Sequence, residues 1–137
     1  MYRGCPILWN SKLQSEIKLS TTEAEYVALS QALREVIPMI ELMEEVQAKC
    51  PEISWARPMV KCKVFEDNSG ALELANAPKM RPRTKHIEIK YHHFRSHVEK
   101  KIISIKKIDT KDQIADIFTK PLEKRLFLPL RKQLQEW

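Results

Sequence analysis

Three acidic positions, far apart in the chain, stand where a fold could gather carboxylates around divalent metal ions. The first lies in residues 20–30, STTEAEYVALS, which opens a helix and sets Glu23 and Glu25 in its first turns. The second is Asp67, ending the apolar run VKCKVFEDN, and the third is Asp116 in a further helix opening, KDQIADIFTK. Each residue also has an ordinary reading. Glu23 or Glu25 can close a capping box, Asp67 can end a strand before a turn, and Asp116 can complement a helix dipole.

The elements that would position these groups follow from periodicity and punctuation. A β-favouring run, ILW, predicts a strand over about 6–11, with a second extended piece over about 14–18. Ser20 or Thr22 can cap the next helix, since each has a glutamate three residues on, Glu23 or Glu25. Ala28, Leu29, Ala32, Leu33 and Val36 then recur at helical spacing. Pro38 predicts a break near Ile37 and a second helix over about 38–48, carrying Ile40, Leu42, Met43 and Val46. Residues 60–65 alternate as a strand with one buried face, and Asn68 or Ser69 caps a short helix over about 69–76. APKMRPRT is a basic loop broken by prolines, followed by a charged helix over about 84–100 with Ile87, Ile89, Tyr91, Phe94 and Val98 inward. IISIKKI is a strand over about 102–108, Thr110 or Asp109 caps a helix over 111–119, and a basic amphipathic tail closes the chain. Strands alternating with helices imply an α/β fold, a mixed sheet covered by helices, whose ligands collect at strand ends.

With 137 residues the chain is long enough for one compact domain, residues 1–137. Apolar residues at 43% and charged residues at 31% are a globular composition. No apolar run approaches the roughly 20 residues needed to cross a bilayer, and MYRGCPILWN lacks the features of a secretory signal, so the chain reads as intracellular with no membrane partner. Cys5, Cys50 and Cys62 show no CxxC spacing and read as reduced packing residues. Only Gly4 and Gly70 occur, which excludes Gly-rich phosphate loops. The formal charge of +6 and a pI of 9.3 attract polyphosphates without specifying sequence.

LWNSKLQ, LSTTEAEYVALSQA, FEDNSGALELA, RTKHIEIKYHHFR and DQIADIFTKPL occur in that order. Together they resemble the ribonuclease H domain at the end of the polyprotein of copia-type retrotransposons, over about residues 6–130. The resemblance implies a ribonuclease H-like mixed sheet flanked by helices, and an enzyme that cuts the RNA strand of RNA–DNA hybrids beside the reverse transcriptase domain of the same polyprotein. It places the metal-binding and catalytic carboxylates on Glu25, Asp67 and Asp116. Glu23 competes for the helix position, but the apolar run YVAL directly follows Glu25. Hydrolysis by two Mg²⁺ ions about 4 Å apart, or by Mn²⁺, needs hard oxygen ligands. One ion would lower the pKa of the attacking water while the other steadies the departing oxygen.

The family's fourth carboxylate sits on a first strand upstream of the segment resembling LWNSKLQ. The expectation is therefore an N-terminally truncated copy, lacking the first two strands, with weakly bound Mg²⁺ and little or no nuclease activity. The alternative is a non-catalytic nucleic-acid-binding or protein-interaction module. Sheet edges and an apolar face left uncovered would favour self-association. The stretch DTKDQ lacks the histidine that many ribonucleases H carry before the last helix. Arg81, Arg83, Lys85 and His86 read as substrate-binding residues: the bases, with Lys79, either hold the backbone of a hybrid or form a solvated loop, and RTKH is part of the family pattern. Glu66, by strand alternation, points to the other sheet face from Asp67 and reads as a poor substitute ligand. His92, His93 and His97 have surface or helix-packing roles, and Lys124, Arg125, Arg131 and Lys132 read as a solvated face.

Overall fold

Ser20 sits in an extended conformation and its hydroxyl accepts the Glu23 N–H, which starts a helix that runs unbroken over Thr21–Lys49 (α1). The computed structural model describes residues 6–14, 19–50, 61–77 and 92–135. After α1 come β1 (Cys62–Glu66), α2 (Ser69–Asn76), α3 (Arg95–Glu99) and β2 (Ile103–Lys107). Two 3₁₀ turns, Thr110–Asp112 and Ile114–Phe118, precede the last helix, α4 (Lys124–Gln135).

The chain divides into two compact units. Lys18–Lys107 forms one, and Met1–Ile17 with Ile108–Trp137 forms the other. In the first, β1 and β2 pair in parallel, with Cys62 opposite Ile103 and Glu66 opposite Lys107. Parallel neighbours need a crossover, which α2 and α3 supply. Both helices pack against β2, and α1 packs against α2. The core is Tyr26, Val27, Leu29, Leu33, Ile37 and Ile40 of α1, Ala71, Leu74 and Ala75 of α2, Phe94, and Ile103 and Ile105 of β2. The result is mixed α/β, with a two-stranded parallel sheet among the described residues.

Several elements lie where the sequence places them: β1, α2 and β2 match the expected ranges to within two residues. Others do not. Pro38 does not divide α1. It is exposed, while Leu33, Ile37 and Ile40 on either side are buried, so its missing N–H and its ring fall on the solvent face. Continuous packing of the inner face offsets the roughly 3 kcal/mol that an interior proline costs. The buried stripe is also rotated: Tyr26, Leu29, Ser30, Leu33 and Ile37 face inward, whereas Ala28 and Ala32 are exposed.

The strand expected over residues 6–11 is absent, because residues 6–14 have no regular structure and are largely exposed. Ser11 instead donates its hydroxyl to the Phe118 carbonyl at 3.0 Å within the second unit. The helix expected over 111–119 is two 3₁₀ pieces interrupted at Gln113, whose backbone is extended. So short a segment buries too little to close full α-helical turns. The second extended piece, the 49–58 connection and the first part of the 84–100 helix lie largely or wholly outside the described residues.

Candidate functional site

The start of α1 sorts its two glutamates. Glu23 is buried, its N–H bonds to Ser20 Oγ at 3.2 Å and its Oε2 accepts the Leu19 N–H at 3.2 Å. It is the reciprocal half of a cap. Thr22 is not the cap; its hydroxyl instead lies 3.4 Å from Asn68 Oδ1. Glu25, two residues further into the helix, is half-buried.

The turn from β1 to α2 is built by Glu66, Asp67 and Asn68. Asn68 Oδ1 accepts the N–H groups of Gly70 at 2.9 Å and Ala71 at 3.0 Å, capping α2. At Gly70 a Cβ would lie 2.7 Å from Thr22 Oγ1 and 2.9 Å from Thr22 Cγ2, so glycine is what lets the first turns of α1 and α2 meet. Asp67 is half-buried on this turn.

Strand alternation sets Glu66 on the opposite face of β1 from Asp67, and that face is buried. Cys62, Val64 and Glu66 share the inner face of β1 while Lys63 and Phe65 point out. The alternation holds, but the inner face at the end of β1 is the one that looks toward the first turns of α1. Glu66 is only 5% exposed, and its Oε1 accepts the Asn68 N–H at 3.0 Å. Burial pushes its carboxyl pKa above the usual range; the Asn68 N–H opposes this, while the charges of Glu25 and Asp67 raise it further. Glu25 and Asp67 are thus each within electrostatic reach of Glu66.

Asp116 belongs to the other unit. It is buried at 7% exposure, and one carboxylate oxygen accepts from Lys120 Nζ at 2.9 Å. Carboxylate oxygens are the donors a hard cation prefers. Within either unit, however, no three described His, Cys, Asp or Glu side chains are gathered closely enough to hold a metal ion. Arg81, Arg83, Lys85 and His86 lie outside the described residues.

Next to Glu25, Tyr26 turns the opposite way into the core. Its hydroxyl lies 2.7 Å from His92 Nδ1, and burial raises its pKa against the opposing influence of Arg95. Arg95 donates to the Ala77 carbonyl, and Ser30 Oγ lies 3.5 Å from His93 Nδ1. His92 and His93 therefore serve helix packing. None of the described helices is long and apolar enough to cross a membrane.

No family profile matches the chain, and no solved structure matches it. Curated proteins do. The retrovirus-related Pol polyprotein from transposon TNT 1-94 of Nicotiana tabacum is 33% identical over 126 residues, 92% of this chain and 9% of that protein. Those from transposons RE1 and RE2 of Arabidopsis thaliana are 36% and 35% identical over 122 and 124 residues, each 89% of this chain and 8% of the relative. The chain spans less than a tenth of the length of these relatives. Its homologues are thus retrovirus-related Pol polyproteins from transposons, each matched over about nine-tenths of this chain.

Proposed function

We propose that this chain is the part of a copia-type ribonuclease H domain that bears the helix, strand-end and last carboxylates of a two-metal site, Glu25, Asp67 and Asp116. The parent reaction is Mg²⁺-dependent hydrolysis of the RNA strand in RNA–DNA hybrids within a Pol polyprotein. The observation that supports this most directly is that Glu25 on α1 and Asp67 at the end of β1 both raise the pKa of buried Glu66 through their charge. A helix start and the carboxyl end of a parallel strand is where an α/β fold presents ligands. When bound, Mg²⁺ would activate water and neutralise the departing oxygen; the chain's own part is to hold carboxylates in a low-dielectric corner. Arg81, Arg83, Lys85 and His86 would contact the backbone of the hybrid.

One observation favours a second reading, a nucleic-acid-binding module without catalysis. Within either unit the described carboxylates stop short of a closed ligand set, and Asp116 is engaged by Lys120. Both readings are separated by incubating the chain and its D67N variant with a labelled RNA–DNA hybrid and Mg²⁺ or Mn²⁺. Cleavage of the RNA strand that D67N abolishes supports the nuclease. Salt-dependent binding with no cleavage supports the binding module, and neither binding nor cleavage defeats both.

A further inference from the structure

Helix α4 concentrates the chain's positive charge. Between Lys124 and Gln135 there are four bases, Lys124, Arg125, Arg131 and Lys132, and no acid, so one helix holds +4 where the whole chain has +6. At about 100° per residue these four side chains fall within an arc of roughly 120°, with Leu128 near its middle. Leu126, Leu130 and Leu134 fall on the other side. Burial divides the helix the same way: Leu130 is 3% exposed and Leu126 and Leu134 are half-buried, while Lys124, Arg125, Leu128, Arg131 and Lys132 are exposed. The inner face packs on the 3₁₀ turn Ile114–Phe118 of the same unit.

The spacing suits a polyphosphate. Lys124 and Arg131 are seven residues apart, as are Arg125 and Lys132, so two pairs of bases stand about 10 Å apart along the helix axis at roughly 1.5 Å per residue. That is about three steps of a nucleic-acid strand at roughly 3.4 Å each. Arg125 is paired with Glu123 at 3.0 Å, but their side chains are 82% and 72% exposed, and a pair so open to water is weak enough to yield to a phosphate. A lipid surface fits less well. An interfacial helix must sink a broad apolar face, and here that face is turned into the protein, leaving outward only Leu128 at 39% and Phe127 at 37% exposure.

We propose that the outward face of α4 is a contact surface for the sugar–phosphate backbone of duplex nucleic acid, with Lys124, Arg125, Arg131 and Lys132 on phosphates and no base readout. The proposal rests on the nucleic-acid reading of the chain and adds to it a set of bases other than Arg81, Arg83 and Lys85. The test is anisotropy of a labelled RNA–DNA hybrid in EDTA with three proteins: the full chain, K124Q/R125Q/R131Q/K132Q, and R81Q/R83Q/K85Q. Circular dichroism melting verifies that each is folded, and K124Q/R125Q alone serves if the fourfold variant is not.

The α4 variant is expected to bind about tenfold or more weakly near physiological salt. Its slope of log affinity against log salt should be shallower by about 0.9 for each phosphate that the helix no longer neutralises. Binding by the α4 variant equal to the parent overturns the proposal. If the 81–85 variant alone then weakens, the nucleic-acid reading survives without this surface. Failure of the parent chain to bind hybrid even at low salt sinks that reading and this proposal with it. Binding to phosphatidylserine vesicles in place of hybrid, abolished in the α4 variant, replaces the proposal with a lipid surface.

Discussion

The phenolic oxygen of Tyr26 lies 2.7 Å from Nδ1 of His92, a bond between residues 66 apart that ties α1 to the segment leading into α3. Tyr26 is fully buried, and its ring also lies 5.6 Å from that of Phe94. Arg95 donates to the Ala77 carbonyl, and its Nη1 is buried without a hydrogen-bond partner. Y26F removes this oxygen and its bond to His92 in a buried setting, so it is expected to cost about 1–3 kcal/mol in urea unfolding.

Tyr26 also predicts an alkaline effect. Burial raises its pKa above the usual 10.0 despite the opposing pull of Arg95. Above pH 10 the unfolded chain therefore releases this proton while the folded chain keeps it, and stability falls as pH rises through the folded value. Unfolding midpoints of the parent should drop more steeply above pH 10 than those of Y26F.

For Glu66 the sign is the same and the window is acidic. Its folded pKa is raised above the usual 4.5, so the stability held when it is protonated is lost as pH rises from the unfolded value through the folded one. Charging this buried carboxyl beside Glu25 and Asp67 is what the fold disfavours. E66Q keeps the oxygen that accepts the Asn68 N–H and removes the charge. In metal-free buffer it should raise the melting temperature at neutral pH, and the gain should vanish below pH 4.5.

Glu23 and Glu25 are two residues apart and are expected to respond oppositely. E23A removes the group that satisfies the Leu19 N–H at 3.2 Å and should cost about 1 kcal/mol, read from denaturant midpoints. E25Q leaves the cap intact and relieves repulsion with Glu66, so it should leave stability unchanged or raise it. On the proposed reading it should also weaken Mn²⁺ binding, which E23A should not.

Lys101 adopts φ 59°, the left-handed region. Its N–H bonds to the Val98 carbonyl and that of Ile102 to the His97 carbonyl, both at 3.0 Å, which is a Schellman ending for α3 before β2. K101G should relieve about 1 kcal/mol of backbone strain and raise the melting temperature by a few degrees.

What the sequence determines here is what short-range physics decides. β1, α2 and β2 are legible because alternation, an asparagine cap and apolar runs act within a few residues, and the basic arc of α4 follows from helical spacing alone. The five motifs likewise suffice to point to transposon Pol polyproteins, since order and spacing survive without coordinates. Tertiary structure alone decides the rest. ILW does not make a strand without a partner to take its backbone hydrogen bonds, and Pro38 does not end a helix whose inner face stays packed. Neither outcome is written locally. The effect of Glu25 on Glu66 is decided in the same way: it depends on where the end of β1 meets the first turns of α1, a meeting set by the approach of Thr22 to Asn68 and Gly70 across the fold.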